Sequence, residues 1–318
     1  LKNNNMIRKI LKWTGITLIT VILVLVLLVA VRQNLTFDAP YPNIKASTDS
    51  AIIARGKEIV FGPAHCADCH YNGNADSVFK LGQEPVLAGG FVFALPLGNF
   101  YTSNLTPHKT TGIGRYTDGE IARTLRYGVR PNGTAAIDVM PFHNMSDDDL
   151  SAVISFLRSN KPVNNPVPQH TVTMLGWVIK AFLIKPVGPS EEVPKSVVRD
   201  TSAAYGKYIA CSVANCVGCH TNRDMMTGAF TGEPFAGGLK FDEPGIPALT
   251  SPNINPNTRG SHMYGWSQQD FIKRIRMGKL IPYTHMPWNS FKRMSDNDLK
   301  AVYNFLKTLP PATGKVKN

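Results

Sequence analysis

Cys66-Ala67-Asp68-Cys69-His70 recurs in form at Cys216-Val217-Gly218-Cys219-His220, and these two pentapeptides decide how the chain is read. Each has the spacing C-x-x-C-H, the pattern of c-type haem attachment. Two thiols add across the two vinyl groups of the porphyrin, and the two residues between them span the gap. The histidine that follows is placed under the iron as its proximal ligand. Two other chemistries use paired cysteines. A zinc site would need a second ligand cluster at short spacing after each pair, and neither pair has one. A thioredoxin-like redox pair has no need of the histidine. The fifth cysteine, Cys211, reads as a small buried hydrophobe. The cofactors expected are therefore two covalently attached haem c groups, one on Cys66, Cys69 and His70, the other on Cys216, Cys219 and His220.

The motifs stand 150 positions apart, and the chain around them repeats with nearly the same offset. Arg55-Gly56-Lys57-Glu58-Ile59 matches Tyr205-Gly206-Lys207-Tyr208-Ile209. Leu87-Ala88-Gly89-Gly90-Phe91 matches Phe235-Ala236-Gly237-Gly238-Leu239. Thr102-Ser103-Asn104-Leu105-Thr106-Pro107 matches Thr250-Ser251-Pro252-Asn253-Ile254-Asn255-Pro256 with one insertion, and Leu125-Arg126-Tyr127-Gly128 matches Ile275-Arg276-Met277-Gly278. Each copy ends in a predicted helix. Ser146 and Ser295 are its N-cap candidates, with Asp149 and Asp298 three residues on as near capping boxes. Leu150, Val153, Ile154 and Leu157 keep helical apolar spacing, as do Leu299, Val302, Tyr303 and Leu306.

A histidine ligand leaves the iron's other axial position to be filled, and a methionine thioether there makes a low-spin electron carrier. Of ten Met residues, Met140 and Met286 stand at matching places, each followed by proline in a loop before the last helix. They lie 70 residues after His70 and 66 after His220. The proline stiffens the loop that would hold a weak ligand. Met145 and Met294 compete within the same loops, but they directly precede the capping serine, the place of a hydrophobic staple. His143 and His285 have no counterparts across the repeat, which argues against them as ligands. His65, His108, His170 and His262 read as surface residues.

Composition sets the frame. With 318 residues the chain is long enough for about two domains. Its net charge of +12 suits acidic protein partners or anionic lipid, and no nucleic-acid motif accompanies it. Residues 13–31 are uncharged and almost wholly apolar, close to the ~20 residues a helix needs to cross a bilayer. Lys2, Arg8, Lys9 and Lys12 precede the run and place the N-terminus in the cytoplasm. The run is too long for the ~7–15-residue core of a signal peptide, so an uncleaved anchor is expected. The resulting division is a cytoplasmic N-terminus 1–12, a transmembrane anchor 13–32, a first domain 45–162, a Pro-rich linker 163–197 and a second domain 198–312. Within the linker, Met174 to Ile184 is a short apolar helix candidate. It is either a helix packed on the domains or a foot on the membrane or on a partner subunit.

With these motifs the chain resembles tandem class I cytochrome c domains. Each half is similar to the haem domains of the cytochrome subunits of membrane-bound alcohol, aldehyde, gluconate and fructose dehydrogenases. The resemblance rests on C-x-x-C-H, the A-G-G and T-S-N-L-T-P segments, the R-x-G turn, the M-P loop and the S-D-x-D-L helix, and covers about Thr48 to Leu309. It implies a mainly α fold: a transmembrane helix followed by two few-helix, loop-rich domains. It also implies that the first and last helices of each domain cross, Gly56 meeting Phe156 and Gly206 meeting Phe305. Asn104 and Asn253 are implied to reach haem propionates, with Arg126 and Arg276 nearby. Turn and helix-end structure is the plainer reading of these four.

The function expected is that of a dihaem electron relay, not an enzyme. It would sit in a bacterial cytoplasmic membrane as a single-pass protein, with its haem domains on the periplasmic side. Its partners would be the lipid bilayer, a membrane dehydrogenase or quinol-oxidising complex as donor, and a terminal oxidase or soluble cytochrome as acceptor. The alternative is the dihaem subunit of a cbb-type haem–copper oxidase, whose haem-to-methionine spacing is usually shorter. A dihaem peroxidase-like enzyme ranks below both, since it needs an open iron site and the matched Met-Pro loops argue against one.

Overall fold

The computed structural model describes residues 2–224, 227–242 and 245–313. Helix α1 (Lys2–Arg32) contains the apolar run and is long enough by composition to cross a membrane over Asn5–Arg32. It starts well before the predicted span, because the polar residues ahead of Trp13 continue the same helix.

The first half begins with α2 (Ser50–Phe61), whose N-cap Asp49 accepts bonds from the Ala51 and Ile52 amides. Short helices α3 (Ala67–His70) and α4 (Ala75–Lys80) follow. A hairpin of β1 (Val92–Leu95) and β2 (Gly98–Tyr101) comes next, then α5 (Asp118–Tyr127) and α6 (Asp147–Ser159). The linker contributes β3 (Thr171–Val172), which pairs with β2, and α7 (Met174–Phe182). The second half runs through α8 (Ala203–Tyr208), a π-helical turn at Ile209–Val213 and α9 (Cys216–His220). The two-residue strands β4 (Lys240–Phe241) and β5 (Leu249–Thr250) precede α10 (Gln268–Arg276), α11 (Trp288–Phe291) and α12 (Asp296–Leu306). The strands are additions to the helices expected of a mainly α, loop-rich fold. At two to four residues they are too short to show an alternating pattern.

In each half the first and last helices pack on one another, and a glycine sets how closely. A Cβ on Gly56 would lie 1.9 Å from the Ala152 carbonyl oxygen and 2.8 Å from the Phe156 Cβ. One on Gly206 would lie 1.9 Å from the Ala301 oxygen and 2.9 Å from the Phe305 Cβ. The apolar faces read from the sequence close on these crossings: Leu150, Ile154, Ile59, Ile209, Leu299 and Leu306 are all buried. Buried residues of both halves form one continuous cluster.

The near capping boxes resolve differently. Around Ser295 and Asp298 the box is complete. In the first half the Ser146 hydroxyl still accepts from the Asp149 amide, but the Asp149 carboxylate does not reach back. It is taken by Arg55, at 2.9 and 3.0 Å, and by the Tyr208 hydroxyl, at 2.9 Å. The freed Ser146 amide donates to Tyr208 instead, at 3.1 Å. A charge-assisted bidentate pair outcompetes the single bond of a cap.

That exchange belongs to the junction of the two halves. Arg55 also donates to the Tyr205 hydroxyl, which donates to Asp298 at 2.8 Å. Burial works against the Arg55 charge, but Asp149 outweighs it and raises the guanidinium pKa. A second group of contacts joins α4 to the segment around α11. Asp76 meets Lys292 at 2.5 Å and Arg293 at 2.9 Å. Burial pushes the Asp76 carboxyl upward, yet these cations outweigh it and bring it down to about 2. Asp68, between the first pair of cysteines, accepts from Ser290 at 3.0 Å. His65, expected at the surface, is instead half-buried here, edge-on to Phe291 at 5.8 Å.

Candidate functional site

Each C-x-x-C-H segment is one turn of helix, α3 or α9. The residue before it, His65 or Asn215, has a left-handed backbone with φ of 40° or 51°. That turn redirects the chain and brings both cysteines and the histidine onto one short helical turn. Burial pushes the Cys66 and Cys216 thiols up to about 12 and Cys69 to about 11, and it raises Cys219 as well. Such thiols stay protonated at neutral pH, unlike the lowered thiol of a redox pair. Among the described residues no three His, Cys, Asp or Glu side chains stand together as a metal-binding group. Cys211 is partly buried in the π-helical turn, as a hydrophobe would be.

The histidines are held in the same way twice. Nδ1 of His70 lies 2.8 Å from the Ser103 carbonyl oxygen, and Nδ1 of His220 lies 2.9 Å from that of Pro252. A carbonyl can only accept, so in each ring Nδ1 carries the proton and Nε2 keeps its lone pair. Burial depresses both imidazole pKa values, although the carbonyl bond opposes it, and this favours the neutral ligating form. A ring oriented through its other nitrogen is the usual arrangement of a metal-ligating histidine.

The repeated segments exist to build this. The His70 carbonyl accepts from the Gly89 amide at 2.9 Å, and His220 accepts from Gly237 at 2.8 Å. Gly89 and Gly237 have φ of 73° and 72°, and a Cβ on either would come within 2.5 Å of the Ser103 or Ser251 backbone. Glycine is needed there for both reasons. The A-G-G segment thus locks the T-S-N or T-S-P segment into place, and that segment supplies the carbonyl to the ring. Ser103 and Pro252 escaped the sequence reading because they act through backbone atoms. Their only signal was membership of a matched segment.

The methionine loops also match. The Phe142 amide bonds the Met140 carbonyl, and the Trp288 amide bonds that of Met286, both at 2.8 Å. Pro287, at φ −77° and ψ 58°, is the centre of an inverse γ-turn. Met140 and Met286 are partly buried against the core. Met145 and Met294 are fully buried core residues directly before the caps, the staple position. His143 has both ring nitrogens engaged, Nδ1 with the Arg126 carbonyl and Nε2 with Asp138. His285 stacks on Phe241 at 4.8 Å.

The four residues implied at propionates serve the loops. The Asn104 carbonyl oxygen accepts from the Thr106 amide and hydroxyl, while its amide donates to Thr111 and to the Val163 carbonyl. These bonds hold the Asn104 side chain in the turn that carries the Ser103 carbonyl. Asn253 closes the matching turn by accepting from the Asn255 amide at 2.8 Å. Arg126 donates to the Met145 carbonyl and Asp147, both at 2.7 Å, and Arg276 to the Lys292 carbonyl and Asp296, both at 2.5 Å. Both arginines pin the methionine loop to the last helix. Among the described residues three buried side-chain donors lack a protein partner, Arg123 Nε, Arg126 Nε and Trp288 Nε1, the last two at these loops. Buried donors of this kind call for an acceptor, and an acidic porphyrin fits the donor set on both sides.

Residues 203–310 match the cytochrome c family. The chain is 30% identical over 279 residues to the fructose dehydrogenase cytochrome subunit of Gluconobacter japonicus, covering 83% of this chain and 54% of that one. It is 28% identical over 307 residues to the alcohol dehydrogenase (quinone) cytochrome c subunit of Gluconacetobacter polyoxogenes, covering 88% and 62%. It is 26% identical over 274 residues to a dihaem c-type cytochrome of Cereibacter sphaeroides, covering 81% and 86%. The chain spans between about half and two thirds of the length of the two dehydrogenase subunits.

Proposed function

From a chain that carries a cytochrome c domain at residues 203–310 and is similar to cytochrome subunits of dehydrogenases, we propose a membrane-anchored dihaem electron relay. Each half is a class I cytochrome c domain. Cys66 and Cys69 hold one haem through thioethers, and Cys216 and Cys219 the other. His70 and His220 would ligate the iron through Nε2, and Met140 and Met286 would each supply a thioether ligand. The observation that carries this reading is the Nδ1-to-carbonyl bond made at 2.8 and 2.9 Å in both halves. It leaves the same ring nitrogen available in each.

Haem, when bound, supplies a one-electron iron couple. The chain contributes everything else. The carbonyls of Ser103 and Pro252 fix the tautomer and plane of each ring. The proline turns after Met140 and Met286 hold the thioethers, and Arg126 and Arg276 hold those loops. Arg126 Nε and Trp288 Nε1 are the donors we assign to propionates, while Asn104 and Asn253 shape the segment that carries the histidine acceptor. The junction around Arg55 and Asp76 keeps the two halves in one relation, so transfer between the haems occurs over a constant path. Helix α1 anchors the chain with its haem domains on the periplasmic side. The electron donor is the catalytic subunit of a membrane dehydrogenase or a quinol-oxidising complex, and the acceptor is a terminal oxidase or a soluble cytochrome.

Carbon monoxide tests the axial ligands. The reduced protein at neutral pH is expected to bind none, because Met140 and Met286 would already hold the ligand position that carbon monoxide needs. Met140→Ala and Met286→Ala each open one iron, and each variant titrates to one carbon monoxide per chain. Binding by the unaltered protein would refute the ligand assignment. So would a site opened by Met145→Ala or Met294→Ala while Met140→Ala or Met286→Ala stays closed.

A further inference from the structure

Helix α7 has the composition of a core helix but not its burial. Its sequence, Met174-Leu175-Gly176-Trp177-Val178-Ile179-Lys180-Ala181-Phe182, has one charge. Only Gly176 and Ala181, its smallest residues, are buried. Met174, Leu175, Trp177, Val178, Phe182 and Leu183 are exposed, Met174 by 88%. A helix apolar on nearly all sides and left in water is a costly arrangement, and a patch of this size marks an interaction site.

Its position says which one. Thr173 caps the helix, and the Thr173 amide donates to the Leu97 carbonyl at the hairpin tip between β1 and β2. A Cβ on Gly176 would come within 2.2 Å of that same Leu97 oxygen, so α7 is seated tightly there. The other side is tied to the end of α1. Arg32 Nε donates to the Ala181 carbonyl at 2.8 Å, and its guanidinium lies 5.1 Å from the centre of the Phe182 ring. Gln33 Nε2 donates to the Trp177 carbonyl at 2.9 Å. Arg32 is the first charge after the apolar run of α1, the level at which a spanning helix leaves the hydrocarbon. The exposed face of α7 is therefore continuous with the exposed, lipid-facing surface of α1. Lys180 and Lys185 accompany it, and a tryptophan beside basic residues suits the headgroup region.

We infer that α7 is a second membrane element, lying in the outer leaflet interface with Leu175 and Val178 among the acyl chains and Trp177 at the headgroup level. This rests on the reading of α1 as a membrane span. Two contacts with the bilayer, one spanning and one lying flat, fix the height and tilt of the first domain, which a single helix and tether would leave free. A protein partner seated on α7 would have to sit at the level of the lipid headgroups.

Spin labels on the full chain test this separately from the span. In a Cys211→Ser background, Leu175→Cys, Val178→Cys and Leu23→Cys are labelled and reconstituted in phosphatidylethanolamine and phosphatidylglycerol vesicles. Collisions with oxygen and with a water-soluble nickel chelate are then compared. The expected result is oxygen-rich, nickel-shielded labels at all three positions, deepest at Leu23. Nickel access at Leu175 and Val178 with a shielded Leu23 overturns the foot while leaving the span intact. Nickel access at Leu23 overturns the span, and the foot with it. Labels at Leu175 and Val178 shielded from oxygen and nickel alike show a protein covering and also overturn it.

Discussion

Replacing Arg55 by alanine is expected to destabilise the folded chain by about 3–5 kcal/mol, the usual effect of leaving half of a buried ion pair behind. Arg55 and Asp149 are both buried, and the pair is bidentate at 2.9 and 3.0 Å. Without the guanidinium, Asp149 keeps only the Tyr208 hydroxyl and the loop around it, and Tyr205 loses its donor across the junction. For a chain of this size the fall in melting temperature is of order 10 °C, read by the haem Soret band and far-ultraviolet circular dichroism in detergent. The paired change Arg55→Met with Asp149→Leu should recover most of the loss, since it removes the stranded charge with its partner. A loss below about 1 kcal/mol, the range of an exposed pair, would show that the junction is open to water.

Valine at Gly206 is expected to cost at least roughly 3 kcal/mol, at the upper end of overpacking effects. Its Cβ would stand 1.9 Å from the Ala301 carbonyl oxygen, a backbone atom that cannot rotate away. The two helices must part, and the second half loses the contact that closes its core. Gly56→Val should act in the same way on the first half through the Ala152 carbonyl. Gly119 is the control. It lies in the first turn of α5, where a new Cβ meets nothing closer than 3.7 Å, so alanine should be neutral or stabilising by up to about 1 kcal/mol. Urea unfolding of the three variants checks the order. If Gly206→Val unfolds at the unaltered midpoint, the close crossing is wrong.

Much of this was legible from residue type. The haem motifs, their offset, the staple methionines and the glycine at each crossing all carry their reason in the side chain or in its absence. What escaped falls into two kinds. Ser103 and Pro252 orient the histidines through carbonyl oxygens, and any residue in that backbone position offers the same atom. The junction was hidden for another reason. Arg55 and Tyr205 occupy equivalent positions in the repeat, and their difference looks like drift until the halves are placed together. Only then does Asp149 have a better partner than its own helix end, which is why its capping box fails while the one at Asp298 forms. Asn104 and Asn253 were read from motif position, and the turns they close through Thr106 and Asn255 could not be read from residue type.

Covalent haem on both halves would show in the mass of the intact protein. The chain is produced in a host with a c-type haem attachment system, purified, and measured under denaturing conditions that strip any loosely held cofactor. The expected mass is that of the polypeptide plus two haems, with a sharp α band after dithionite. A mass equal to the bare polypeptide, or to the polypeptide plus a single haem, would contradict it.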